Sequence, residues 1–486
     1  MSSEITSQQV EDKVLKAKID KSLRHPVMFF FTSGAAWLAL SILLGVIASA
    51  KSHSPGFLGD CSLFNYGRVF NAHMATFIYG WGAQAAFGVI IWLMARLSRQ
   101  EAKKGGVILA IGHVWNVAIG LGLISILLGA GTGKPWMYFP NFVWPFLLAC
   151  YFGIGIWSVI AFRVRRGGHV YISQWYLMAA LFWFPWVFLS GNLFVNTFAD
   201  AGNGVMAAGI NAWFRSAFFL LFFAPVAIAS AYYIAPKVTG RPVYSYKLAL
   251  LGFWSLAIVG PWAGMHKLMG APVPAFLQFI GAGAAILFII PALAVAVNIL
   301  KTTSGKSKAV AHSPSLRFTI AGVIGLLITA VVGGLLALPS ALKFTQFAFG
   351  GTYGYEILGL YGFFSMSMFG AMYFIVPRVT NREWISAGLI RQHFWLSLYG
   401  VIFIGMFCCI LGSFMHGFSL ETLNVIDSAA QARFWPYAVG ITVGWVFVAI
   451  SNAFFCFHLL LMWLRLGRRS SHPTLLEHHE PELPSA

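Results

Sequence analysis

Few side chains in this 486-residue chain can do chemistry, and those few are scattered through long apolar runs. His73 lies in NAHMATFIYGWGAQAAFG, with Tyr79 and Gln84 beyond it and glycines at 80, 82 and 88 that would let a bulky flat group lie against a helix. A neutral imidazole between membrane helices is a usual axial ligand of haem iron, and it is equally a hydrogen-bond partner for a neighbouring helix. Both readings of His73 stand. His266 and Lys267 sit together in GPWAGMHKLMG. One imidazole beside an ammonium is a poor metal site, because the fixed cation opposes binding of a second. Arg215, in NAWFRSAFF, reads as a side chain snorkelling to the surface or as a contact for an anion or propionate. Glu356, in GGTYGYEILGLYG, reads as paired, protonated or part of a proton path, with Arg215, His266 and Lys267 as candidate partners. His113, His416 and His458 lie near the ends of apolar runs, where hydrogen bonding is the ordinary role. Cys61, Cys150, Cys408, Cys409 and Cys456 show no metal-ligand spacing and read as packing residues.

The elements that must position these groups are membrane helices. Hydrophobic residues make up 59% of the chain and charged residues only 9%, too few to cover a soluble surface. Runs of about twenty apolar residues, enough to cross about 30 Å of hydrocarbon as helix, recur from end to end. Twelve spans are predicted, near 27–50, 69–96, 107–130, 141–162, 172–198, 210–236, 247–266, 273–300, 316–339, 349–376, 393–415 and 434–464. The abundance of Phe, Trp and Gly favours packed helices with aromatic belts over a barrel. Residues 1–26 are expected to be a cytoplasmic N-terminal segment, with Val10, Val14 and Leu15 on a short interfacial helix before Pro26 or in a solvated tail. Residues 27–464 form the membrane domain, and residues 465–486 a disordered cytoplasmic tail, in which His472, His478 and His479 offer a less favoured metal-binding reading.

Basic residues set the orientation. Of the 32 Lys and Arg, the breaks after odd-numbered spans and their helix ends keep only Lys51, Arg68, Lys134, Arg215, Lys267, Lys343 and Arg433. The positive-inside rule therefore puts both termini in the cytoplasm. The net charge of +18 is a topology signal spread over many loops, which argues against a nucleic-acid surface.

Twelve helices, a histidine early in the second, and several motifs together resemble subunit I of the haem-copper oxidases, most closely the cbb3-type cytochrome c oxidase branch. The likeness is carried by NAHMATFIYGW, HVYISQWYL, AYYIAPKVTGRPVYSYKLALLGFW, PWAGMHKL and AMYFIVPRVT, and extends over about residues 25–465. It implies an all-α bundle in the inner membrane, among other respiratory-complex subunits and membrane lipid. It also implies electrons delivered by separate c-type cytochromes, since no Cys-x-x-Cys-His motif is present.

In that family six histidines hold two haems and one copper. His73 matches the second-helix ligand of the low-spin haem, the sixth-helix copper ligand falls at Ser216, and the seventh-helix pair falls on His266 and Lys267. The tenth-helix pair falls on Tyr355 and Ile357, and the tyrosine that the cbb3 branch carries in helix 7 falls on Gly260. The resemblance therefore implies at most one haem b, on His73, with His266 as a remnant of the copper site and Tyr355 as a weak substitute for an iron ligand. Copper is not expected. Three functions compete: a degenerate subunit with a structural or regulatory role, a haem-binding catalytic subunit coupling oxygen reduction to proton translocation, and transport of protons or a small anion through Arg215, Glu356, His266 and Lys267.

Overall fold

The computed structural model describes residues 2–197, 204–341, 350–421 and 427–469, so the expectations for Lys343 and for His472, His478 and His479 in the tail lie outside the described residues. It contains twelve helices long and apolar enough to cross a membrane. They are α1 Glu11–His53, α2 Tyr66–Ser98, α3 Gly105–Leu127, α4 Val143–Arg163, α5 Ile172–Asn196, α6 Gly204–Thr239, α7 Tyr246–Leu268, α8 Ala275–Thr303, α9 Pro314–Leu336, α10 Gly351–Thr380, α11 Ala387–Leu420 and α12 Ala432–Trp463. The predicted all-α membrane bundle is what is found, and the protein is an integral membrane protein.

Three helices are central. The most apolar stretches of α2, α6 and α10 are almost wholly buried, whereas the other helices leave about half of theirs on the outer surface for lipid to cover. Each central helix also widens locally into π-helical turns, at Thr76–Gly82, Phe219–Phe223 and Leu358–Ser365. Such turns shift side-chain register and frequently mark functional regions. Hydropathy alone cannot separate these helices from the outer ones, since lipid and protein core are equally apolar.

Close approach depends on small residues. A Cβ on Gly325 of α9 would strike the backbone of Gly362 and Phe363 on α10. Neighbouring helices here touch backbone to backbone, as in other membrane bundles.

The segment before Pro26, read as a short interfacial helix or a solvated tail, is helical and runs on through the proline. The first helix is continuous from Ser2 to His53 and carries Pro26 within it. Val14 is exposed on this helix while Leu15 packs partly against the core. Arg24 Nε donates to the Val379 carbonyl at 2.8 Å, and Asp20 pairs with Arg96 at 2.9 Å, so α1 is held by α10 and α2. The chain's last described residues reach the same end, where the Glu383 backbone N–H donates to the Arg468 carbonyl at 3.0 Å. The five cysteines are unpaired, and Cys150, Cys408 and Cys409 are buried, in keeping with packing roles.

Candidate functional site

At the end of the bundle opposite the termini, charged residues from three helices and a tryptophan from one loop converge. Arg215 on α6 donates from Nη1 to Glu356 Oε1 on α10 at 3.0 Å. The other carboxylate oxygen, Oε2, accepts from the indole Nε1 of Trp136 at 3.3 Å. Of the three partners that sequence allowed for Glu356, the structure pairs it with Arg215. Lys267 comes in from a short 3-10 turn, Met265–Leu268, at the end of α7, with its Nζ 5.7 Å from the centre of the Tyr355 ring. That is cation–π range. These residues and Ser216 line a small cavity of about 20 Å³ whose apolar wall includes Phe219 and Leu360.

Trp136 was not singled out from sequence. It sits in the α3–α4 loop, which reads only as a polar break between two spans, yet it is buried. Its backbone is left-handed, with φ 66°, a conformation costing a bulky residue roughly 1–2 kcal/mol. Several hydrogen bonds hold it there. Tyr79 Oη donates to the Trp136 carbonyl at 2.6 Å, and Asn211 Nδ2 to the Pro135 carbonyl at 2.8 Å. Lys134 Nζ reaches the Val195 carbonyl at 2.8 Å. Tyr138, in the same loop, is fully buried, and burial beside the Glu356 charge pushes its phenol far above the usual range. It stays neutral at any physiological pH.

His266 stands apart from this cavity. It is buried, its backbone lies against Gly281 of α8, and its Nδ1 has no partner among the described residues. The residue of the His266–Lys267 pair that faces the cavity is the lysine. Ser216, Lys267 and Tyr355, the positions to which the resemblance assigns ligands, thus offer a copper ion no three converging donors, and among the described residues no three His, Cys, Asp or Glu side chains form a metal-binding group. The residues present do not fit a haem-copper centre.

His73 lies in a separate, fully buried pocket. Its Nδ1 is 2.7 Å from the Ser41 carbonyl, so Nδ1–H is the donor, and Ser41 Oγ donates in turn to the His73 carbonyl at 2.9 Å. This is how a ligating imidazole is commonly oriented, with its lone pair left on Nε2. Here that lone pair accepts from the Tyr353 hydroxyl at 3.3 Å. Trp445 stands perpendicular to the ring at 5.0 Å, and Gly45 approaches so closely that a Cβ there would come within 2.9 Å. The glycine face expected to admit a flat group is filled by aromatic side chains: Trp37 covers Gly80, Phe223 covers Gly82 and Phe31 covers Gly88. A low-spin haem does not fit this packing unless Tyr353 and its neighbours move. Ile357, to which the resemblance assigns the opposing ligand, is buried and has no donor atom.

Four further histidines pack or hydrogen-bond between helices. His113 donates from Nδ1 to the Leu109 carbonyl at 2.8 Å and stacks on Phe29 at 4.5 Å. His416 stacks on Phe434 at 5.9 Å. His458, expected near a surface, is fully buried, and its Nε2 accepts the backbone N–H groups of Ile385 and Ser386 at the start of α11. His393, also unnoticed in the sequence, is buried and bonds through Nδ1 to the Tyr373 hydroxyl at 2.8 Å.

Comparison with known proteins fits this frame. The family described as Cytochrome C and Quinol oxidase polypeptide I matches residues 25–454. The cbb3-type cytochrome c oxidase subunit CcoN1 of Stutzerimonas stutzeri is 25% identical over 374 residues, covering 75% of this chain and 78% of that protein. A cytochrome c oxidase subunit 1 homolog of Agrobacterium tumefaciens is 25% identical over 75% of this chain and 69% of its own length. A bacteroid homolog of Bradyrhizobium diazoefficiens is 23% identical over 78% and 70% respectively.

Proposed function

Because the chain belongs to the cytochrome c and quinol oxidase polypeptide I family, we propose that it is a respiratory-membrane homologue of subunit I that has kept the scaffold and lost the oxygen-reducing centre. It sits in the inner membrane with both termini in the cytoplasm, and serves as a structural or regulatory partner for other subunits of an electron-transfer complex. One observation carries this reading: the cavity at the copper-ligand positions is lined by Lys267, Ser216 and the Arg215–Glu356 ion pair, which supply positive charge where a metal needs lone pairs. Family membership supports the location and the kind of partner. It does not restore a missing ligand set, because chemistry belongs to the site and not to the fold.

The test is purification from native membranes, followed by a reduced-minus-oxidised haem spectrum and copper analysis. Neither copper nor a two-haem signal is expected. Copper and two haems per chain would overturn the proposal.

A second reading, one haem b on His73, is favoured by the Nδ1–H bond to Ser41, which leaves Nε2 as the ligating nitrogen. It requires the Tyr353 hydroxyl to leave Nε2. A single haem signal that vanishes in His73→Ala would establish it; a haem-free spectrum in the parent protein would eliminate it.

A further inference from the structure

The charges around the cavity between α6, α7 and α10 do not balance. The cavity is lined by two basic side chains, Arg215 and Lys267, and, among the described residues, by one carboxylate, Glu356. Glu356 is committed to Arg215 and Trp136. Among the described residues no carboxylate reaches Lys267, whose ammonium has only the Tyr355 ring face in cation–π range. Arg215 adds an unspent donor, since its Nε is buried and has no hydrogen-bond partner among the described residues.

An unbalanced cation inside a membrane bundle is costly, and a counter-charge in the same low-dielectric space relieves that cost. The cavity has the shape for one. It is small, Ser216 lines it, and Phe219 and Leu360 make it a poor home for a strongly hydrated or multiply charged ion. A small, weakly hydrated monovalent anion matches both its charge and its walls.

We infer that this cavity binds one halide-sized inorganic anion between Arg215 and Lys267. Lys267 supplies the uncommitted charge, Arg215 Nε and Ser216 supply directional donors, and Glu356 opposes the anion while fixing the guanidinium that helps hold it. The inference rests on the reading that copper does not fill this space.

The experiment uses full-length protein in detergent, in sodium gluconate at fixed ionic strength, titrated with sodium bromide by calorimetry, with copper measured on the same sample. Saturable binding of one bromide per chain is expected. Lys267→Met should weaken it by at least about tenfold. Glu356→Gln should tighten it severalfold by removing the opposing charge, a change in the direction that general damage to the fold would not give. Absence of saturable binding in copper-free protein, or equal affinity in Lys267→Met, would overturn the anion site and leave the proposed function standing. Stoichiometric copper would overturn both.

Discussion

The two ends of the bundle carry the same three side-chain types in the same arrangement. At the terminal end, Asp20 accepts Trp92 Nε1 at 3.0 Å on one oxygen and Arg96 Nη1 at 2.9 Å on the other. At the opposite end, Glu356 accepts Trp136 and Arg215 in the same way. The surroundings differ. Arg96 also donates to the Lys16 carbonyl at 2.8 Å and lies 5.6 Å from the centre of the Trp92 ring, so the Asp20 cluster is a closed fastening between α1 and α2. The Glu356 cluster borders a cavity, contains an additional lysine and leaves Arg215 Nε without a partner among the described residues. A carboxylate bridging an arginine and an indole is therefore a structural device at one end and the rim of a site at the other. What separates them is spare donors and spare room.

That contrast can be broken in four ways, from the largest expected effect to the smallest. Asp20→Ala should destabilise the protein most, by about 3–5 kcal/mol, because it takes from Arg96 its carboxylate and from Trp92 its acceptor. Thermal or denaturant unfolding in detergent measures it, and a loss below about 1 kcal/mol would remove the idea of a closed fastening. Gly88→Ala, in the closed packing, should cost about 1–3 kcal/mol, because its new methyl group would meet Phe31. Glu356→Gln should cost less than Asp20→Asn, about 1–2 kcal/mol, since its amide still accepts a hydrogen bond and the cavity admits water. If the two amide variants lose equal stability, the ends do not differ as described. Gly359→Ala should be nearly neutral in the same unfolding assay. Its methyl would press on Phe219 at 2.9 Å, but Phe219 borders the cavity and can yield, while alanine gains about 0.8 kcal/mol of helix propensity. A loss matching that of Gly88→Ala would show the cavity end to be equally rigid.

The membrane bundle was legible in the sequence because an apolar run of about twenty residues has few alternatives to a spanning helix. Arg215, Lys267, Tyr355 and Glu356 were legible as ionisable or phenolic groups inside such runs, and all four line one cavity. Trp136 was not, since its role depends on a loop folding back into the bundle, which no periodicity encodes. Tyr353 was hidden for a related reason. Counting from the resemblance points to Tyr355 and Ile357 on the next turn, whereas the hydroxyl that meets His73 belongs to the residue two places earlier. Asp20 reads as one acid among the lysines of an aqueous tail, and only the unbroken course of α1 past Pro26 brings it to Arg96.

That unbroken course has a mechanical consequence. At 1.5 Å per residue the 52-residue first helix is about 78 Å long, more than twice the thickness of bilayer hydrocarbon. A large part of it therefore stands clear of the lipid as a rigid mast, stepped into the hull of the molecule at Asp20 and Arg24. A load applied near Lys13 reaches α2 through the Asp12–Arg99 and Asp20–Arg96 pairs and α10 through Arg24.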